Sequence, residues 1–243
     1  MKARPGRVRG QGRRQDLLDD LIQLRASRPE FTDTYLRRMA MTNFGAGHET
    51  MTSALTAALA LIGTHPPVQH RVAAEIHGTP DTITWEDAQR LTYTVACIQE
   101  AQRLHPAIGM SLPRTVPQEG FWLHGHFFPP GTTVGCNPLA LHRNPDIFGE
   151  DADSFSPDRW LAADENMRRA LRQYNLTWGG GARMCPGRRL AEMIIQKLVR
   201  ALLREFELEV VMPKKEDIRY YFVAILTGVR VRFVPRAEIA HTG

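Results

Sequence analysis

The chain has 243 residues, 43% hydrophobic and 23% charged, with 31 Lys plus Arg against 26 Asp plus Glu, a formal net charge of +5 and a pI near 9.4. This is the composition of a globular protein with a buried core, and it excludes collagen-like, coiled-coil and disordered classes. The three cysteines, Cys97, Cys136 and Cys185, have no paired spacing, which argues against a disulfide framework or a CxxC zinc site and for a reducing compartment.

Lys2, Arg4, Arg7, Arg9, Arg13 and Arg14 make residues 1–16 a basic, solvated arm. No apolar run follows them, so the arm reads as neither a signal peptide nor an anchor, and a basic tail of this kind argues for a solvated end rather than a nucleic-acid site. Residues 17–243 read as one domain. From Phe31 to Ile62 the pattern is that of a long buried helix with Gly45 and Gly47 in its middle. Each interior glycine costs about 1 kcal/mol relative to alanine, so the pair marks a place where something approaches the backbone. The richest apolar run, Ala54 to Ile62, is about half the length of a membrane span.

Thr64, Pro66 and Pro67 end that helix and open a shorter one reaching about Ile76; a Gly78-Thr79-Pro80 turn leads to a helical stretch from Trp85 to Leu104, closed by Pro106. Between Phe121 and Cys136 two β-rich runs flank Pro129-Pro130-Gly131, which reads as a hairpin. Asn144 to Asp164 reads as loop with short turns. Gly179, Gly180 and Gly181 lead into Cys185, and Pro186 is placed for the first position of a helix. In that helix Leu190, Ile194 and Leu198, at i, i+4 and i+8 beside Met193 and Leu202, form a stripe expected in the core. Val229, Val231 and Phe233 alternate with Arg230 and Arg232, a half-exposed strand.

The segment Trp178 to Gly187, WGGGARMCPG, carries the chemistry. A cysteine at a helix N-terminus meets the positive end of the helix dipole, and Arg183 adds charge, a setting suited to a thiolate that ligates a metal. Gly181, Arg183, Cys185 and Gly187 stand at the spacing of the haem-binding loop of the cytochrome P450 superfamily, which the segment resembles, with Trp178 where that family usually has phenylalanine. The resemblance implies haem (heme, iron protoporphyrin) as cofactor and Cys185 as its axial ligand. Three more segments follow the family's order. Glu100 and Arg103, in QEAQRLHP, match its ExxR pair, and Arg159, in FSPDRW, matches the arginine that completes a buried triad supporting the haem loop. The same spacing at Glu165/Arg168 and Glu216/Arg219 reads as ordinary surface pairing. AGHET, Ala46 to Thr50, is similar to the oxygen-activation motif, with a widened helix at Gly45 and Gly47 and with Glu49 and Thr50 relaying protons. Read without the resemblance, Thr50 is a core helix residue and Glu49 a surface one.

The resemblance further implies that Arg114, in SLPRTV, and Arg183 bind the haem propionates. It implies too that Ala46, Ile108, Met110, Ser111, Leu112 and the Ala224 to Gly228 turn line a pocket for a small lipophilic substrate. His124 and His126 are assigned no role, His142 and Arg143 in LHRNPDIFG a structural one, and Cys97 and Cys136 read as small core residues. The fold implied is mostly α with small β-sheets, α+β, corresponding to the C-terminal, haem-proximal half of the family.

Three readings follow. The first is a haem-thiolate monooxygenase that inserts one atom of dioxygen into its substrate, fed by an NADPH-dependent flavoprotein reductase docking on a basic face with Arg188, Arg189 and Lys197. The second is a haem-binding protein without turnover, and the third a truncated, inactive product. PRTVP, FPPGTTVGCNP and LHRNPDIFG look most like monooxygenases of filamentous fungi that tailor secondary metabolites. The location expected is the cytoplasmic side, peripheral to the endoplasmic reticulum membrane, with no anchor in this chain.

Overall fold

Asp16 caps the first helix, α1 (Leu17–Ser27): its carboxylate accepts from the Asp19 backbone N–H while the Asp19 side chain accepts from the N–H of Asp16. The computed structural model describes residues 16–161, 164–214 and 219–236, so the arm expected over 1–16 lies almost wholly outside the described residues. Glu216 of the Glu216/Arg219 pair and the last residues of the chain do so as well. Two units are distinguished, 1–48 and 49–243. In the described part of the first, Leu21 is the buried apolar residue of α1, and Phe31 and Tyr35 meet edge to face with ring centroids 5.1 Å apart.

The long helix α2 (Asp33–Gly63) is regular α-helix throughout, including Gly45 and Gly47. No break interrupts the helix at the two glycines. A glycine lowers helix propensity without forcing a break, and the hydrogen-bond ladder absorbs two of them. Burial is also narrower than expected, because the buried side chains of α2 begin only at Ser53.

In the second unit, Ala54, Ala58 and Ile62 of α2 join the core with Val72 and Ile76 of α3 (Pro66–Ile76), Cys97, Ile98 and Ala101 of α5 (Thr92–Leu104), and Ile195, Val199 and Leu203 of α9 (Arg188–Glu205). The expected helix from Trp85 to Leu104 is two helices, α4 (Trp85–Arg90) and α5, broken at Leu91. The break is held by Glu75 of α3, whose carboxylate accepts from the backbone N–H groups of Tyr93 and Thr94 at 2.8 Å each and so caps α5 from outside its own sequence.

Eight strands form four two-stranded antiparallel sheets among the described residues. β1 (Leu112–Thr115) pairs with β4 (Thr133–Cys136), β2 (Phe121–Leu123) with β3 (His126–Phe128), β5 (Phe206–Val211) with β8 (Arg230–Pro235), and β6 (Arg219–Tyr220) with β7 (Ala224–Ile225). The hairpin expected around Pro129-Pro130-Gly131 is thus displaced. Its tight turn is His124-Gly125, both residues at positive φ of 46° and 77°, and the Pro-Pro-Gly segment instead carries the chain back to β1. Cys136, expected in the core, is exposed on β4, whereas Cys97 is buried and its thiol is pushed up by burial.

The helix after the cysteine loop starts at Arg188, with Gly187 as its cap, so Pro186 precedes it instead of occupying its first position. The stripe expected in the core is also the wrong one. Leu190, Ile194 and Leu198 are 58%, 37% and 42% exposed, while Ile195, Val199 and Leu203, one residue round the helix, are fully buried. Short helices α6 (Pro138–Leu141), α7 (Pro145–Phe148) and α8 (Glu165–Tyr174), with 3-10 turns at Pro157–Trp160 and Gly181–Arg183, complete the order. The result is the mostly helical fold with small sheets that the sequence implies.

Candidate cofactor site

Glu100 and Arg103 lie one turn apart on α5 and are both fully buried. Their contact is bidentate: Arg103 Nε donates to Glu100 Oε2 at 2.9 Å and Nη2 to Oε1 at 2.8 Å. The other three N–H groups of the guanidinium donate to the carbonyl oxygens of His142, Ala152 and Ser154, at 2.5, 2.6 and 3.2 Å, so all five donors are used. Glu100 is as fully served. Its Oε1 also accepts from Arg159 Nε at 3.3 Å and the Ser156 N–H at 3.1 Å, and its Oε2 from the indole N–H of Trp160 at 2.8 Å.

Arg159 is held in turn by the Phe148 carbonyl and by Asp151, whose carboxylate lies 2.8 Å from Nη2. Burial alone works to lower its pKa, and the bonds to Asp151 and the charge of Glu100 reverse that and raise it. A buried ion group of this kind costs several kcal/mol in desolvation, which complete hydrogen bonding offsets. The Glu165/Arg168 pair is the contrast: it is exposed, at 3.9 Å, and worth at most about 1 kcal/mol.

Trp160 was not singled out by the sequence reasoning. An indole beside a buried carboxylate needs an acceptor for its N–H, and its place directly after Arg159 was the available signal. His142, read only as structural, is fully buried and joins this network to the cysteine loop. Its Nδ1 lies 3.0 Å from the Arg103 carbonyl, and the Leu176 N–H donates to its Nε2 at 2.8 Å.

The loop turns sharply from Leu176 to Gly187. Gly179 N–H donates to the Leu176 carbonyl, Met184 N–H to Gly181, and Cys185 N–H to the Trp178 carbonyl at 2.8 Å, closing the loop on itself. Gly179 and Gly181 stand at φ of 73° and 60°, the left-handed region that side chains disfavour. Cys185 and Arg183 are exposed and Trp178 half-buried. Arg114 on β1 reaches the loop, with Nη2 3.5 Å from the Gly180 carbonyl and Nη1 2.8 Å from its neighbour's, Pro113.

Beside the loop a cleft of about 630 Å³ is lined by Trp160, Leu171, Leu176, Trp178, Met184 and Arg188. The expected substrate segments meet elsewhere. Ile108 bridges Val223, the Gly109 N–H donates to Phe222, and the Ala224 N–H to Ala107. Ser53 and His105, which the sequence reasoning left aside, both bond the Ala224 carbonyl. Ile108 and Leu112 are half-buried, Met110 and Ser111 exposed; on α2, Glu49 is exposed and Thr50 half-buried, and Ala46 lies in the first unit.

The cytochrome P450 family model matches residues 2–229, and the chain belongs to that family. Among proteins it resembles, the cytochrome P450 monooxygenase sdnT of Sordaria araneosa is 56% identical over 239 residues, 91% of this chain and 43% of that protein. Pisatin demethylase of Fusarium vanettenii is 37% identical over 170 residues, 69% of this chain and 32% of that one. A cytochrome P450 crystal structure at 24% identity superposes with a TM-score of 0.74 over 84% of this chain and 46% of its own. The chain thus spans less than half the length of the relatives it matches.

Family membership implies haem, and the residues present fit it. The loop offers a single exposed thiol with guanidinium groups on the same loop and on β1, while no cluster of three or more His, Cys, Asp or Glu able to hold a bare metal ion exists among the described residues. That donor set suits a cofactor that brings its own equatorial ligands and takes one axial ligand from the protein.

Proposed function

We propose that this chain forms the haem-binding part of a monooxygenase that inserts one oxygen atom of O2 into a small lipophilic substrate, in fungal secondary metabolism. The observation that carries the reading is the buried, mutually bonded Glu100–Arg103–Arg159 group, linked through His142 to the loop that presents Cys185. A costly buried charge cluster tied to one exposed thiol is an arrangement for holding a ligand in place.

When bound, haem supplies the iron that activates dioxygen. Cys185 would hold it through its thiolate, which would donate electron density to the iron. Arg114 and Arg183 would pair with its propionates, Gly181, Gly187 and Trp178 would shape the loop against it, and Glu49 and Thr50 would carry protons through carboxylate and hydroxyl. Ile108, Met110, Ser111 and Leu112 would contact substrate. An NADPH-dependent flavoprotein reductase docks on the basic face of Arg188, Arg189 and Lys197 and supplies electrons. No described helix is long and apolar enough to cross a membrane, and the proposed location is the cytoplasmic surface of the endoplasmic reticulum.

The test is the absorbance spectrum of the haem-reconstituted chain, reduced and exposed to carbon monoxide, beside Cys185→Ala. A strongly red-shifted Soret band that the variant loses supports thiolate ligation. Haem uptake that does not depend on Cys185, or none at all, refutes it, and substrate-dependent electron consumption then separates turnover from binding alone.

A further inference from the structure

We infer that His142 is a positioning residue for the cysteine loop: it locks the backbone of Leu176, where the loop begins, to the buried end of α5. The inference rests on the reading of Cys185 as the haem ligand. The ring has an unambiguous partner on each side, since Nδ1 faces a carbonyl and must carry the proton, and Nε2 faces an N–H and must accept it. Only the neutral Nδ1–H tautomer makes both bonds.

The chain of bonds is continuous. Arg103, held bidentately by Glu100, presents its carbonyl to His142, and one of its own guanidinium N–H groups returns to the His142 carbonyl, so residues 103 and 142 are bonded twice. His142 then accepts the Leu176 N–H, the Leu176 carbonyl accepts Gly179, and the Trp178 carbonyl accepts Cys185. The ring packs edge-on against Phe148 at 6.0 Å and is sealed from solvent. Burial pushes its pKa down to about 4, which keeps the ring neutral and the acceptor available. Without His142 the Leu176 N–H would lose its acceptor, and the loop its tie to the rigid helix.

Three full-chain variants separate the bonds from the packing. His142→Phe keeps a ring against Phe148 and loses both bonds. His142→Asn can reach the Arg103 carbonyl only, and His142→Gln extends an acceptor toward the Leu176 N–H. On the haem-free chain, amide hydrogen exchange at Leu176 should quicken by about tenfold or more in the Phe and Asn variants and be largely restored in Gln. After reconstitution, the red-shifted fraction of the reduced carbon monoxide spectrum should fall and recover in the same order. Unchanged Leu176 exchange in His142→Phe overturns the inference, as does a Gln variant no better than Phe, which would leave His142 a packing residue. If Cys185→Ala leaves the red-shifted band in place, the ligand assignment fails, while the exchange of Leu176 still decides the link.

Discussion

Glu100 has no exposed surface, yet five donors from four residues converge on its two oxygens, which is how a carboxylate is kept charged away from water. His142 next to it is the opposite case, a titratable group kept neutral. Burial is the main cause of its depressed pKa, reinforced by the charges of Arg103 and Arg143 and partly opposed by the bond to the Arg103 carbonyl and the charge of Glu100. The sign of the pH effect follows. The unfolded chain takes a proton on this ring near pH 6.5, whereas the folded chain resists until about 4, so its stability contribution is intact above 6.5 and is lost as pH falls through that window. Between pH 7.5 and 5 the native protein should lose about 2 kcal/mol more unfolding free energy than His142→Gln, read from urea denaturation at the two pH values. Equal losses would mean that the ring is already charged in the folded state or reaches water.

At the level of elements, α9 shows what periodicity alone leaves open. The helix carries two apolar rows, Leu190/Ile194/Leu198 and Ile195/Val199/Leu203, and i, i+4 spacing fits both equally. The packing of α3, α4 and α5 selects the second. Ile195→Ala should therefore cost about 2–4 kcal/mol in this chain, against less than about 1 for Leu190→Ala, compared by thermal or urea unfolding of the 243-residue protein. Comparable costs would place Leu190 in a core. The same limit explains the divided helix and the displaced hairpin. The cap on α5 comes from Glu75 on another helix, which no local pattern reports, and His124-Gly125 competes with the stronger-looking Pro129-Pro130-Gly131 as a turn. Helix existence, by contrast, was legible wherever propensity, a proline start and burial agreed, as in α3.

Across the whole molecule, the candidate site was legible in proportion to how much of it resides in side chains. Cys185, Glu100, Arg103 and Arg159 were picked out by the motifs that carry the family resemblance, since spacing alone does not distinguish Glu100/Arg103 from the exposed Glu165/Arg168. The tie from His142 to Leu176 does not, because both of its partners are backbone atoms. The structure also separates residues that hold the fold from residues that face outward. Glu100, Arg103 and Arg159 are buried and bonded to one another and to the surrounding backbone, whereas Arg114 is exposed and, among the described residues, bonds the carbonyls of Pro113 and Gly180. A guanidinium in that position contributes little to folding and is free to pair with an anionic ligand. Arg114→Ala should leave the unfolding midpoint of the haem-free chain within experimental error, a change of under about 0.5 kcal/mol. It should also weaken haem retention by about tenfold, the worth of one charge-assisted pair, measured as transfer of haem to an excess of a competing haem-binding protein. A variant that destabilised the chain without haem would place Arg114 with the buried triad, as part of the scaffold instead of the cofactor's grip.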